Sequence, residues 1–245
     1  MPMKPKPNPG HYYLYGLHAV QAALDNSRRV KRALFATSNA LERLKTPAKL
    51  SVQKIESAPL QAMLPPGAVH QGVALEVQAL PQPSLEEIAA SGKPLLMLDQ
   101  VSDPHNIGAI LRSAAAFNAG GIICQDKHAP KENATIAKTA AGGLERVPMV
   151  SVTNLTRALQ DLQAAGYWSV GMDGAAQQHF DQLKLDRKTV LVMGAEGEGL
   201  RRLVAEHCDM LAKLPIDSQM ESLNVSVATG IALYALAMKT GGAAT

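Results

Sequence analysis

The chain has 245 residues, 47% of them hydrophobic and 18% charged, with a formal net charge of +3. Such proportions belong to a globular chain and exclude wholesale disorder and collagen-like repeats, and no apolar run approaches membrane-spanning length. The charge is uneven: ten Lys/Arg against four Asp/Glu through Leu80, then fourteen against seventeen from Pro81 onward, so the first third is the part suited to a polyanion.

The basic, proline-bearing start MPMKPKPNPG has no apolar stretch behind it and reads as a disordered tail over residues 1–10, not a signal peptide. Gly16–Leu24 then has helical apolar spacing through Leu17, Val20, Ala23 and Leu24. Strand-like segments follow at Val30–Ala36, Leu50–Ile55 and Gly72–Val77, with helical segments around Ala40–Lys45 and Pro59–Leu64. This is a small α/β domain over residues 11–80. Its densest cationic run, Arg28-Arg29-Val30-Lys31-Arg32, offers Arg28, Arg29, Lys31 and Arg32 as polyanion contacts, against the plainer role of a solvated turn.

Residues 81–94 read as a proline-bearing linker holding a short helix, because Ser84 and Glu87 have capping-box spacing. From residue 95 to 245 strands at Leu95–Asp99, Gly121–Gln125, Val147–Val152, Tyr167–Met172, Val190–Met193 and Met210–Leu214 alternate with helices. That alternation predicts a mostly parallel sheet covered on both faces, with ligands at the strand C-termini. Cys124 and Cys208 lie far apart without His or Cys partners at ligand spacing, which argues against a disulfide framework or a metal site and for a reduced, cytoplasmic protein.

Three loops concentrate polar residues where strands end. In Asp99–Arg112, Asn106 stands where an N-cap is expected, and Arg112 interrupts a small, apolar helix, so its guanidinium must reach a carboxylate, a phosphate or solvent. Gly194-Ala195-Glu196-Gly197-Glu198-Gly199 is neither a dinucleotide fingerprint nor a P-loop, and its two carboxylates disfavour a pyrophosphate. Ser222 and Asn224 flank Leu223 at the start of an apolar helix running to Met238, where capping explains one of them.

Asp103-Pro104-His105-Asn106-Ile107-Gly108 through Arg112, Gly194–Leu200 and Ser222–Ala228 resemble, in order, the three motifs of the SPOUT superfamily, specifically its SpoU/TrmH family of RNA ribose 2′-O-methyltransferases. Tyr15-Gly16-Leu17-His18-Ala19-Val20 and Gly67-Ala68-Val69-His70-Gln71-Gly72 resemble the substrate-binding domain of members that methylate guanosine in bacterial 23S rRNA. The resemblance implies a C-terminal domain knotted as a trefoil, a small N-terminal L30e-like RNA-binding domain, a homodimer, and S-adenosylmethionine as cofactor without a metal. It implies a catalytic set of Asn106, Arg112, Glu196, Ser222 and Asn224 and cofactor contacts around Gly194, Leu214, Ile216 and Leu223; the polyanion expected from charge at the cationic run is then RNA. Ile216–Glu221 departs from the family's commoner wording, Pro-Met followed by small residues. Transfer RNA as substrate, a noncatalytic RNA-binding role and a nicotinamide oxidoreductase are the rival readings; the last lacks its glycine fingerprint.

Overall fold

The computed structural model describes residue 7, residues 10–127 and residues 130–241; the other residues of the expected tail lie outside that description. By internal contacts the described chain forms two units, each treated by itself. One takes the chain through Pro81 together with Lys131–Glu145; the other takes Gln82–Pro130 and the chain from Arg146.

The first unit contains β1 (His11–Tyr15), α1 (Leu17–Asp25), β2 (Lys31–Ala36), α2 (Ser38–Glu42), β3 (Ser51–Lys54), α3 (Ser57–Met63) and β4 (Val73–Gln78). Its sheet runs β1-β4-β2-β3, with β2 and β3 parallel and the other pairs antiparallel. β1 was not among the expected elements; its Tyr-Tyr-Leu-Tyr run has strand propensity, and Leu14 and Tyr15 are buried against the neighbours that periodicity alone does not reveal. Gly16 turns the chain from β1 into α1 at φ 87°, a conformation that favours glycine.

The segment Lys131–Glu145, which the sequence places deep inside the second domain, packs into this unit. Its helix α6 (Ala134–Ala140) buries Ile136, Ala137 and Ala140, and Ala134 leans on a core of Tyr13, Tyr15, Leu60 and Ala74. Glu132 and Glu145 both pair with Arg29, which is only 2% exposed.

The second unit holds α4 (Leu85–Ala89), β5 (Leu95–Leu98), α5 (Pro104–Ala116), β6 (Gly121–Gln125), β7 (Met149–Val152), α7 (Leu155–Ala164), β8 (Trp168–Met172), β9 (Thr189–Met193), α8 (Arg202–His207), β10 (Met210–Ala212) and α9 (Val225–Thr240). Its strands form a parallel sheet of order β10-β8-β9-β5-β6-β7. β5 and β9 are buried along their whole length, as expected for central parallel strands, and α4, α7 and α8 close one face through Ile88, Leu159, Leu162 and Val204.

The stretch expected as a linker is therefore part of this unit. Ser84 and Glu87 form a complete capping box, Ile88 enters the core, and Tyr167 Oη donates to the carbonyls of Ala89 and Lys93. The strand expected from Val147 begins only at Met149, after a 3₁₀ turn at Gly143–Glu145. Likewise the last strand ends at Ala212 rather than Leu214. No described helix is long and apolar enough to cross a membrane.

Candidate active site

Asp99 follows β5 directly and fastens both ends of the glycine-rich loop. Its N–H donates to Met193 O at 2.8 Å, where the loop leaves β9. Its carboxylate accepts from Arg201 N at 2.8 Å and Nε at 2.7 Å, where the loop enters α8. Between those anchors Ala195 and Gly199 exchange two backbone hydrogen bonds of 3.1 and 2.9 Å. Gly194 lies so close to the returning strand of the loop that a Cβ would sit 2.2 Å from Gly199 C, so glycine is required there.

This loop walls a cleft of about 630 Å³ at the C-terminal ends of β8, β9 and β10. That volume is within the range of small-molecule and cofactor sites. Gly194, Leu214, Ile216 and Leu223, the four expected cofactor contacts, all line it, as do Glu196 and Ser222. Met172 and Met193 extend its apolar surface, while Asp173, Glu196, Glu198 and Glu221 set four carboxylates against the single ammonium of Lys213.

Of the other expected catalytic residues, Asn224 adjoins that lining and Asn106 is bonded to Asn224, while Arg112 lies on α5 outside the lining. Asp103, not Asn106, caps α5: its carboxylate accepts from His105 N at 3.0 Å, with Pro104 opening the helix. The side chain of Asn106 is thereby freed, and its Oδ1 accepts from Asn224 Nδ2 at 3.1 Å. Asn224 Nδ2 also donates to Glu196 Oε2 at 3.2 Å, while its Oδ1 caps α9 by accepting from Ser226 N at 3.0 Å. One asparagine thus joins all three loops. Arg112 is exposed on α5 and, among the described residues, makes no hydrogen bond or ion pair, so neither Glu196 nor Ser222 holds its fork. Among the described residues no group of three or more His, Cys, Asp or Glu side chains gathers as a metal site.

The cationic run divides. Arg28 and Arg32 are exposed. Arg29 is withdrawn from any external phosphate: Glu145 takes its Nε at 3.0 Å, Gln78 O takes Nη1 at 2.7 Å, and Glu132 completes the cage. Burial acts against its charge, yet Glu145, Tyr12 and Glu132 outweigh burial and hold its pKa above the ordinary guanidinium value. Lys31 is half-buried and spends its ammonium on Leu24 O and Asn26 O. Both residues are corrections to the expected RNA contact. The run looks uniform in sequence because their acceptors, three backbone carbonyls and two glutamates a hundred residues away, carry no local signal. Asp99 and Arg201 were not among the expected residues either; the one available sign was a carboxylate ending the wholly apolar strand Leu95–Leu98.

Against known proteins, residues 93–234 match the model of the SpoU rRNA Methylase family and residues 13–83 that of RNA 2′-O ribose methyltransferase substrate binding. The 23S rRNA (guanosine-2′-O-)-methyltransferase RlmB of Pseudomonas aeruginosa is 43% identical over 234 residues, covering 90% of this chain and 94% of that protein. Its Escherichia coli K12 counterpart is 40% identical over 237 residues, covering 90% and 96%. The SpoU methyltransferase AviRb from Streptomyces viridochromogenes, solved with AdoMet, shares the fold at a TM-score of 0.80 and 23% identity, over 94% of this chain and 91% of that one.

Proposed function

This chain belongs to the SpoU rRNA methylase family, and we propose that it methylates the ribose 2′-hydroxyl of a guanosine in 23S rRNA, with S-adenosylmethionine as donor. One observation carries the reading: Asn224 ties the first and second loops together at the edge of a cleft lined by Gly194, Leu214, Ile216 and Leu223. The choice of RNA and base is supported by the named activity of the relatives.

The cleft suits that cofactor. Its apolar residues match an adenine and a methionine chain, and its excess of carboxylates favours a cationic, zwitterionic ligand over a polyphosphate. When bound, S-adenosylmethionine supplies an electrophilic methyl group on its sulfonium. Backbone around Gly194, Leu214, Ile216 and Leu223 would hold it, with Ser222 beside them.

The chain's own contribution is placement and charge. A 2′-hydroxyl is a weak acid and attacks well only as its proton leaves. Alignment of the reacting atoms supplies up to ~7–11 kcal/mol in the best cases, and charge stabilisation at the developing alkoxide supplies more. Arg112, with its guanidinium free of internal partners, binds the phosphate beside the target ribose and stabilises that alkoxide, while the phosphate, or Arg112 in a shifted state, accepts the hydroxyl proton. Asn106 and Asn224 hold the loops and the ribose in register, and Glu196 fixes Asn224.

Two further readings belong with this one. The chain is a homodimer through the outer face of α9, where Val227, Ile231, Tyr234 and Met238 are 43–61% exposed at helical spacing. The chain around β10 is threaded as a trefoil knot, as family membership implies. Calorimetry with S-adenosylmethionine and methyl transfer to 23S rRNA and to tRNA test the function. Cofactor uptake and one methylated rRNA guanosine are expected; no uptake overturns the assignment, and transfer to tRNA alone overturns the substrate. Arg112→Lys should keep cofactor affinity and lose most turnover, because an ammonium lacks the planar fork.

A further inference from the structure

The first unit's positive charge is not where the sequence concentrates it. Once Arg29 and Lys31 are assigned to internal acceptors, and Lys138 to Gln71 Oε1, its exposed cations among the described residues are Arg28, Arg32, Lys131 and a set of four: Arg43, Lys45, Lys49 and Lys54. Those four fall within residues 43–54, a stretch with no carboxylate, flanked by Glu42 and Glu56. Among the described residues none of the four side chains makes an ion pair or hydrogen bond.

Local structure places Lys49 and Lys54 at the two ends of the sheet's terminal strand, with Arg43 and Lys45 on the connection leading into it. β3 is the terminal strand in the order β1-β4-β2-β3, and all four of its residues are exposed. The connection before it is tied to α1: Gln21 Oε1 accepts from Lys45 N at 2.9 Å and Gln21 Nε2 donates to Lys45 O at 3.4 Å. Parallel pairing sets Ala33 beside Ser51, which brings Arg32, one residue earlier on β2, to the end of the strand where Lys49 lies. Within residues 43–54 Val52 is the one exposed large hydrophobic side chain, so the surface is poorly suited to a hydrophobic partner.

We infer that the β3 margin, through Arg43, Lys45, Lys49 and Lys54 with Arg32 beside them, is the surface that grips the RNA sugar-phosphate backbone. This rests on the function proposed above and adds the face of the protein that meets the substrate. With no aromatic residue among positions 43–54 to stack on a base, the face binds phosphates without reading bases; it fixes the RNA's position, and the nucleotide is selected elsewhere.

The test is the salt dependence of RNA binding by the full-length protein. In K45Q/K49Q/K54Q, three lost phosphate contacts lower the slope of log K against log salt by roughly 2–3. Between 50 and 200 mM salt the variant then loses on the order of 40-fold less affinity than the parent. S-adenosylmethionine affinity and the far-ultraviolet spectrum stay unchanged, and K45R/K49R/K54R restores the parent slope. The same substitutions at Arg28 and Lys131 leave the slope within about one unit of the parent.

A triple-glutamine variant with the parent's slope overturns the inference. Lysines at an open sheet edge also discourage strand-to-strand aggregation, and that outcome would assign them to this role or to a protein partner. Failure of the parent to methylate 23S rRNA counts instead against the proposed function, because the slope is measurable on any structured RNA.

Discussion

At the scale of single residues, the strongest constraint is the cage around Arg29. Its guanidinium is wholly buried between Glu132 and Glu145, with Asn26 Nδ2 donating to Glu145 Oε2 at 2.7 Å. Tyr12 donates to Glu132, and burial together with that carboxylate pushes its phenol above the ordinary value. Such an arrangement is costly to break in part: without Glu145, the buried guanidinium keeps Glu132 and Gln78 O but loses the acceptor of its Nε and Nη2 in a site closed to water. Glu145→Ala should lower unfolding stability by about 3 kcal/mol at neutral pH, read from urea denaturation, with cofactor affinity in the cleft unchanged. A loss below about 1 kcal/mol would show that water reaches Arg29 readily. None of this could be read locally. Arg28, Arg29, Lys31 and Arg32 are chemically alike in the sequence; distant glutamates withdraw Arg29, and the carbonyls of Leu24 and Asn26, freed where α1 ends, withdraw Lys31.

At the scale of elements, the glycine-rich loop is a short span hung between fixed points. Asp99 secures both ends, and the Ala195–Gly199 pairing closes the middle. A methyl group at position 194 would strike backbone, which cannot rotate aside as a flexible side chain does. Gly194→Ala should therefore displace the loop at a cost of about 1–3 kcal/mol, weakening S-adenosylmethionine roughly ten- to hundred-fold by calorimetry. An unchanged affinity would mean that the loop does not contact the cofactor. Much at this scale was legible. The central strands were plain from apolar runs such as Leu95–Leu98, and the loop from three glycines in six positions. The N-cap of α5 was misplaced by three residues, since Asp103 and Asn106 are both good caps and only the position of Pro104 decides between them. The bond from Asn106 to Asn224 spans 118 residues and depends on that placement.

For the whole molecule, the outward face of α9 is the feature that a lone chain leaves unexplained. Its inner face buries Thr229, Ala232, Leu233, Leu236 and Ala237, with α5 alongside. Yet the outer one keeps Ile231 at 43% and Met238 at 61% exposure. The near-uniform apolarity of this helix announced burial in the sequence without saying against what, and Phe117 covers only part of Tyr234 from the edge. Ile231→Glu should convert a sedimenting dimer into a monomer at micromolar concentration, and a parent protein that already sediments as a monomer would refute the pairing. The domain boundary was likewise half legible: a change of composition marks Pro81, while nothing in Lys131–Glu145 betrays that it packs with residues a hundred positions earlier.

Because that segment belongs to the first unit while the chain on either side of it belongs to the second, the polypeptide passes between the two bodies three times. A protease that nicks the stretch near Pro81 thus severs one strand of a threefold tether. The two products should co-migrate through gel filtration and separate only in denaturant, so the amino-terminal body is a fixture of the enzyme rather than a detachable accessory.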